Sequence, residues 1–97
     1  MGILEKRFRR SKKVVGRLID DEVVIVPVSA DLSAKDCIYN LDPAGAAIWQ
    51  MLDGRRTGHE IRDAVVKATD ISPEIAARDL AAFLRDLLSA EAIEESS

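Results

Sequence analysis

The sequence predicts an α+β fold, with a three-stranded antiparallel sheet followed by three helices. Two patterns support this prediction. Runs of β-branched residues precede Asp42, and from Asp42 onward the apolar residues recur at helical spacing. Strands and helices that occupy separate parts of a chain are typical of α+β domains. The helical segments are too short to be stable alone, so we expect them to pack on the sheet and on one another.

Three segments predict the strands. Val14–Ile19 is mostly apolar, and two aspartates then mark a turn before residues 22–28, which are rich in valine and isoleucine. Pro27 has no backbone N–H to donate, so this strand is expected to lie at an edge or to end there. Residues 37–41 form the third predicted strand, in which alternate side chains face opposite sides of the sheet.

Capping signals set the starts of the helices. Asp42 stands before Pro43, which fits an N-cap followed by the first helical position. Thr57 and Glu60 have the spacing of a capping box, in which each side chain bonds the backbone of the other residue. Ser72, again followed by a proline, predicts the start of the third helix.

Glycine and apolar positions set the ends of the helices. Gly54 predicts the left-handed residue that ends the first helix. Residues 54–58, which are basic and bounded by glycines, predict a loop between two helices. The third helix is expected to end near Ala90, with Ile93 as an apolar anchor just beyond it.

The N-terminal segment, residues 1–13, is predicted to be a basic, flexible tail in front of a single domain over residues 14–97. Cations crowd this end of the chain. They are Lys6, Arg7, Arg9, Arg10, Lys12, Lys13 and Arg17, opposed only by Glu5. Such a charge run is typical of a solvated tail, and the alternative is an arm that binds an anionic partner. A chain of 97 residues has room for one modest core.

Composition argues against several classes of function. The formal net charge is −3 and the pI about 5.1, the opposite of the balance that general binding to nucleic acid requires. The single cysteine, Cys37, excludes an intramolecular disulfide, and with the single histidine, His59, it cannot build a structural zinc site. We therefore expect no catalytic residues, no metal and no cofactor. A nucleophilic Cys37–His59 pair is an alternative that nothing in the sequence supports.

The sequence predicts a cytoplasmic protein that does not enter a membrane. No apolar stretch follows the charged N-terminus, so a signal peptide is not expected. The longest apolar run, residues 23–28, is far too short to span a bilayer.

Residues 38–93 resemble the PqqD family (coenzyme PQQ synthesis protein D). The resemblance rests on an ordered set of short motifs. They are Tyr39-Asn-Leu-Asp42, Ala46-Ala-Ile-Trp49, Leu52-Asp-Gly54, Thr57 with Glu60-Ile61, and the closing residues Asp79-Leu80, Phe83-Leu84, Leu87 and Ile93. The resemblance implies a winged helix-turn-helix fold with three strands packed against three helices, and no enzymatic activity.

The resemblance also implies two partners. Members of the family bind the leader of a ribosomally made precursor peptide and deliver it to a modifying enzyme, often a radical S-adenosylmethionine (SAM) enzyme. The peptide adds a strand beside the third strand and lies next to the third helix, which is recognition by β-augmentation.

The third helix has an apolar arc of about 240°, wider than the roughly 100° that packing on one core requires. We therefore expect part of this helix to face a ligand, and the alternative is that both of its sides pack internally. The candidate peptide-binding residues are Cys37, Ile38, Tyr39 and Asn40 as the backbone edge, Ala77, Ala81, Leu84 and Leu88 as the groove lining, and Arg78 and Arg85 as partners for acidic peptide side chains.

Two other functions stay open. A winged helix could bind DNA, but the third helix sets Arg78 and Arg85 against several acids and so lacks the basic face of a recognition helix. A structural module is the other alternative. It would form a homodimer through the exposed sheet edge and would use the same surface as the peptide.

Overall fold

The structure is a computed structural model that describes residues 2–20, 22–28 and 39–96. Its elements, in chain order, are a 3-10 helix at Ile3–Glu5, strands β1 (Arg7–Arg10), β2 (Val14–Ile19), β3 (Glu22–Pro27) and β4 (Tyr39–Leu41), helix α1 (Pro43–Met51), strand β5 (Asp53–Thr57), helices α2 (Gly58–Ala68) and α3 (Pro73–Ser89), and strand β6 (Ile93–Ser96). The α+β class is confirmed, and the described residues contain the three expected α-helices. The described strands, however, form two three-stranded antiparallel sheets rather than one.

The first sheet has the order β2-β3-β4 and matches the predicted sheet. Pro27 stands at the end of the central strand β3, where it pairs with Val14. Helix α1 covers the face of the sheet that carries Gly16. An ideal Cβ atom on Gly16 would lie only 2.9 Å from Nε1 of Trp49, so the missing side chain lets the indole approach the strand.

The N-terminal segment is folded, in contrast to the flexible tail that we expected over residues 1–13. Strand β1 is the centre of the second sheet, whose order is β5-β1-β6. The side chains of Leu4 and Phe8 belong to the core and are 8% and 2% exposed. Apolar burial of this kind holds a segment in place against the entropy of a mobile tail.

The cations of β1 obscured this strand in the sequence. The buried Phe8 stands between Arg7 and Arg9, so the strand has the composition of a solvated tail. In the fold, Lys6 forms an ion pair with Glu95 at 3.1 Å, and Arg9 forms one with Glu94 at 2.8 Å. Both acids lie in β6, so the strand that completes the sheet also supplies counter-charges for its basic neighbour.

The predicted loop at residues 54–58 is strand β5 for most of its length. Its pairing with β1 is irregular, with Arg7 opposite Thr57 and Arg9 opposite Asp53. Gly54 does have the predicted left-handed backbone, at φ +82°. Helix α1 has already ended at Met51, so this glycine serves the strand and not the helix end.

The predicted helix starts are confirmed. Asp42, Thr57 and Ser72 each accept a hydrogen bond from the backbone N–H three residues later. Thr57 and Glu60 form both hydrogen bonds of the capping box. Helix α3 ends at Ser89, one residue before the predicted end.

One core lies between the helices and the inner faces of the two sheets. Its buried members are Leu4, Phe8, Val14, Ile25, Leu41, Trp49, Leu52, Ile61, Leu80, Leu84, Leu87, Ala92 and Ile93. Ile93 is 3% exposed, which confirms it as an anchor beyond α3. No helix within the described ranges has the length and apolar character to cross a bilayer.

Candidate functional site

A cavity of about 440 Å³ opens where β4, the start of α1 and one side of α3 meet. Its lining residues are Tyr39, Asn40, Leu41, Asp42, Ala44, Gly45, Ile48, Val65, Ile71, Ala76, Asp79, Leu80 and Phe83. Most of these side chains are apolar or aromatic, which is typical of a surface that binds a ligand by burying apolar groups.

Two aromatic rings connect the strand to the third helix at this cavity. The rings of Tyr39 and Phe83 meet edge to face, with centroids 6.0 Å apart and planes inclined by 69°. Both side chains are half-buried. Each ring therefore packs against the core on one side and presents apolar surface to the cavity on the other.

Local sequence explains the wall that α1 contributes. Asp42 caps the helix, and its Oδ1 atom accepts a hydrogen bond from the backbone N–H of Gly45 at 2.7 Å. Gly45 is buried, and an ideal Cβ there would lie 3.4 Å from Cδ2 of Leu41. The cap thus fixes the first turn of α1 tightly against the end of β4.

The charged groups at the cavity are acidic. Asp42 is held by its capping bond. Asp79 of α3 is 67% exposed at its side chain and lies 3.8 Å from the Nε atom of Arg78. At that distance in solvent, the ion pair contributes little.

Among the strands that the structure describes, β4 lies at an edge of the first sheet. It pairs with β3, with Tyr39 opposite Ile25, Asn40 opposite Val24 and Leu41 opposite Val23. An edge strand beside an apolar cavity has the geometry that β-augmentation uses, in which an added strand aligns its alternate side chains with the cavity.

The sequence-predicted site residues fall into three groups. Tyr39 and Asn40 line the cavity. Cys37 and Ile38 lie outside the described residues. The predicted residues of α3 do not line the cavity. Of these, Ala77, Ala81 and Leu88 pack partly buried against the core, Arg78 and Arg85 are exposed, and Leu84 has no exposure.

For Leu84 the predicted role is corrected, because a fully buried side chain cannot line an open groove. The N-terminal segment explains the difference. The 3-10 helix Ile3–Glu5 and strand β6 both contact α3. The prediction treated the N-terminal segment as a mobile tail and Ile93 as an anchor without a strand, so it assigned the wide apolar arc of α3 partly to a ligand. Instead, the side of α3 that carries Ala76, Asp79 and Phe83 faces the cavity.

The sequence prediction missed the contributions of α1, α2 and the loop between α2 and α3. Ala44 and Ile48 of α1, Val65 of α2 and Ile71 of the loop all line the cavity. Ile71 could have been identified from the sequence, because it is a large apolar residue directly before the predicted N-cap of α3. In the structure its side chain is 38% exposed.

Groups that could support catalysis are sparse. Nδ1 of His59 lies 3.2 Å from Nη1 of Arg62, away from the cavity lining. Cys37 falls outside the described residues. Within the described ranges, no group of three or more histidine, cysteine or acidic residues is arranged to hold a metal ion.

Two carboxylates away from the cavity have perturbed pKa values. The pKa of Asp53 is lowered, chiefly because the backbone N–H of Arg55 donates to Oδ1 at 2.9 Å. The pKa of Glu60 is lowered because the backbone N–H of Thr57 donates to Oε1 at 3.0 Å. Both carboxylates stabilise the ends of β5, which is a structural role.

The fold and the cavity define a small α+β domain with an edge strand beside an apolar groove. Residues 22–93 match the family model described as coenzyme PQQ synthesis protein D (PqqD), so the chain belongs to the PqqD family. The resemblance seen in the motifs is thereby confirmed.

A solved structure is similar over nearly the whole chain. It is described as TbiB1 in complex with the TbiA(beta) leader peptide. The two chains are 32% identical, the match covers 89% of this chain and 94% of TbiB1, and the TM-score is 0.73. Among curated proteins, no sequence matches this chain.

Proposed function

We propose that this protein binds the leader of a ribosomally made precursor peptide and presents it to a modifying enzyme. The peptide adds a strand to the edge of β4 and places alternate side chains in the neighbouring cavity. The observation that carries this proposal is the position of a 440 Å³ apolar cavity directly beside an edge strand.

The cavity favours large apolar side chains of the peptide. Tyr39 and Phe83 provide aromatic surface on one wall, and Ala44 and Ile48 provide aliphatic surface on the other. Burying apolar area at about 25 cal/mol per Å² supplies the affinity, while the strand pairing fixes the direction of the peptide. In this proposal Cys37 and Ile38 extend the backbone edge beyond Tyr39.

The similarity to TbiB1 supports the choice of ligand. That protein is described in complex with a leader peptide, and the likeness covers most of both chains. In our proposal this chain performs no catalytic step of its own. The modifying enzyme, with a radical SAM enzyme as one candidate class, acts on the peptide while the domain holds its leader.

Isothermal titration tests the proposal with the full chain and short peptides encoded by neighbouring genes. We expect micromolar or tighter binding that is lost when the leader half of the peptide is removed. The absence of binding to any such peptide, with or without the neighbouring enzyme present, would refute the function.

Two alanines of α1 provide a matched pair of variants for locating the site. Ala44 and Ala47 are both exposed, but only Ala44 lines the cavity. Ala44→Lys should weaken peptide binding by about tenfold or more, because it places a charge where apolar groups are buried. Ala47→Lys should leave the affinity unchanged. Equal effects of the two variants would place the peptide elsewhere.

A further inference from the structure

Exposed apolar residues concentrate on the hairpin of β2 and β3. Within the described ranges the exposed large apolar side chains are Val15, Leu18, Ile19, Val28, Ile71 and Ile75. Ile71 lines the cavity and Ile75 lies on the neighbouring turn of α3, but the other four lie on or just beyond this hairpin. Leu18 alone is 75% exposed. Leu18 lies on the same face of the hairpin as Val14 and Gly16, whereas Val15, Ile19 and Val28 lie on the opposite face. An apolar side chain this exposed on a strand is typical of an interface.

Within the described residues, β2 is the other edge of the first sheet, opposite β4. Its outward backbone groups follow from the pairing with β3. The N–H of Val28 donates to the carbonyl of Lys13 at 2.8 Å, while Val14 lies opposite Pro27, which has no N–H. Along an antiparallel pair of strands, hydrogen-bonded and non-hydrogen-bonded residue pairs alternate. The backbone groups of Val14, Gly16 and Leu18 therefore point away from β3.

These outward backbone groups can form hydrogen bonds with the β2 strand of a second copy. In a two-fold symmetric, antiparallel pairing centred on Gly16, each Val14 lies opposite the partner's Leu18. All three outward positions are then hydrogen-bonded, and Leu18 is covered. A pairing centred on Arg17 would instead set two guanidinium groups side by side, which like-charge repulsion disfavours.

The charges at the two ends of β2 favour the same arrangement. Lys12 and Lys13 precede the strand, whereas Asp20 and Glu22 surround the turn that follows it. Antiparallel pairing brings the basic end of one strand beside the acidic end of the other. A second copy of this chain is therefore complementary in both apolar surface and charge.

We propose that the β2 edge is a self-association surface that pairs with β2 of a second copy. The two three-stranded sheets join into one continuous sheet, and the β4 edges remain at its two outer ends. Under the proposed function, the dimer presents two peptide sites at once. A dimer that paired through β4 would instead occupy the strand edge proposed to bind the peptide.

Sedimentation equilibrium over a concentration series tests the proposal with the full chain. We expect the mass to rise from 10.7 kDa toward twice that value. Leu18→Lys should raise the dissociation constant at least about tenfold, because each dimer loses two leucine contacts. Ile75→Lys, which also places a lysine at an exposed isoleucine, should leave it unchanged.

A charge exchange tests the orientation of the strands. Lys13→Glu should weaken the dimer, and adding Glu22→Lys should restore it. In this pairing residue 13 lies opposite the partner's Ile19, beside residue 22 of that copy, and these two positions again carry opposite charge. A mass of 10.7 kDa up to the highest soluble concentration would overturn the proposal. So would dissociation of the dimer by saturating leader peptide, since that result assigns self-association to β4. The mass measurement needs no peptide, so it stands even where peptide binding fails.

Discussion

Tyr39 of β4 and Phe83 of α3 form an edge-to-face contact, with ring centroids 6.0 Å apart. The contact joins the edge strand to the helix across one wall of the cavity. It therefore connects the backbone and the side-chain parts of the proposed peptide site, and a change in either ring should alter both.

Phe83→Ala should lower peptide affinity by about tenfold or more, because it removes an aromatic wall and its contact with Tyr39. Phe83→Leu keeps apolar volume and should retain most of the affinity. Titration calorimetry measures both variants, and thermal denaturation checks that each is folded. Wild-type affinity in Phe83→Ala would contradict the assignment of the cavity.

Arg85→Glu should leave peptide affinity within about twofold, since a screened surface charge contributes little to binding. Arg85 is exposed and absent from the cavity lining. Titrations at low and high salt measure the effect. A large loss at low salt only would instead support the prediction from the sequence that this arginine meets acidic peptide side chains.

Phe8→Ala should reduce the free energy of unfolding by about 3–5 kcal/mol, because it empties a core position that is 2% exposed. Lys6→Ala in the same segment removes only a surface ion pair and should cost at most about 1 kcal/mol. Urea denaturation compares the two. Similar small losses would mean that the N-terminal segment contributes little to stability.

Gly58→Ala should destabilise the protein although alanine favours helices by about 1 kcal/mol over glycine. An ideal Cβ at Gly58 would lie 2.6 Å from Cα of Leu4, a backbone atom that cannot move aside cheaply. Gly2→Ala, where the nearest atom lies at 3.9 Å, is the control. A gain in melting temperature for Gly58→Ala would show that the N-terminal helix does not pack here.

Acid should weaken the start of α2. The pKa of Glu60 is lowered in the folded state by the hydrogen bond from Thr57, so ionised Glu60 favours folding. This contribution is complete above the unfolded pKa, near 4.5, and is lost as the pH falls through the lower folded value. Glu60→Gln removes this titration, so its stability profile should be flatter below that pH. Urea denaturation at several pH values measures the difference, and parallel profiles would refute it.

The parts of the fold that could be predicted are those determined by residues close together in the sequence. Asp42, Thr57 and Ser72 act through hydrogen bonds to residues three positions away, so their roles could be predicted without the tertiary structure. The second sheet has no such local signal. Its strands come from the beginning, middle and end of the chain, and the buried Phe8 stands between charged neighbours.

The lack of a local signal for the second sheet also limited prediction of the site. Tyr39 and Asn40, which were predicted as part of the peptide-binding edge, line the cavity, and they lie on a strand identified by its pattern. The helical side that faces the cavity depends on what covers the remaining sides of α3. The segments that do so, near Leu4 and Ile93, were predicted as a tail and an isolated anchor.

The pairing of β1 with β6 has a consequence for folding during synthesis. Arg9 and Glu94 bond across 85 positions of the chain, so β1 has no complete sheet until β6 has emerged from the ribosome. Contacts between such distant residues form slowly, because a long loop must close first. We expect the side of β1 that faces β6 to stay unpaired until residues 93–96 have been synthesised, with Leu4 and Phe8 more accessible to chaperones during that interval.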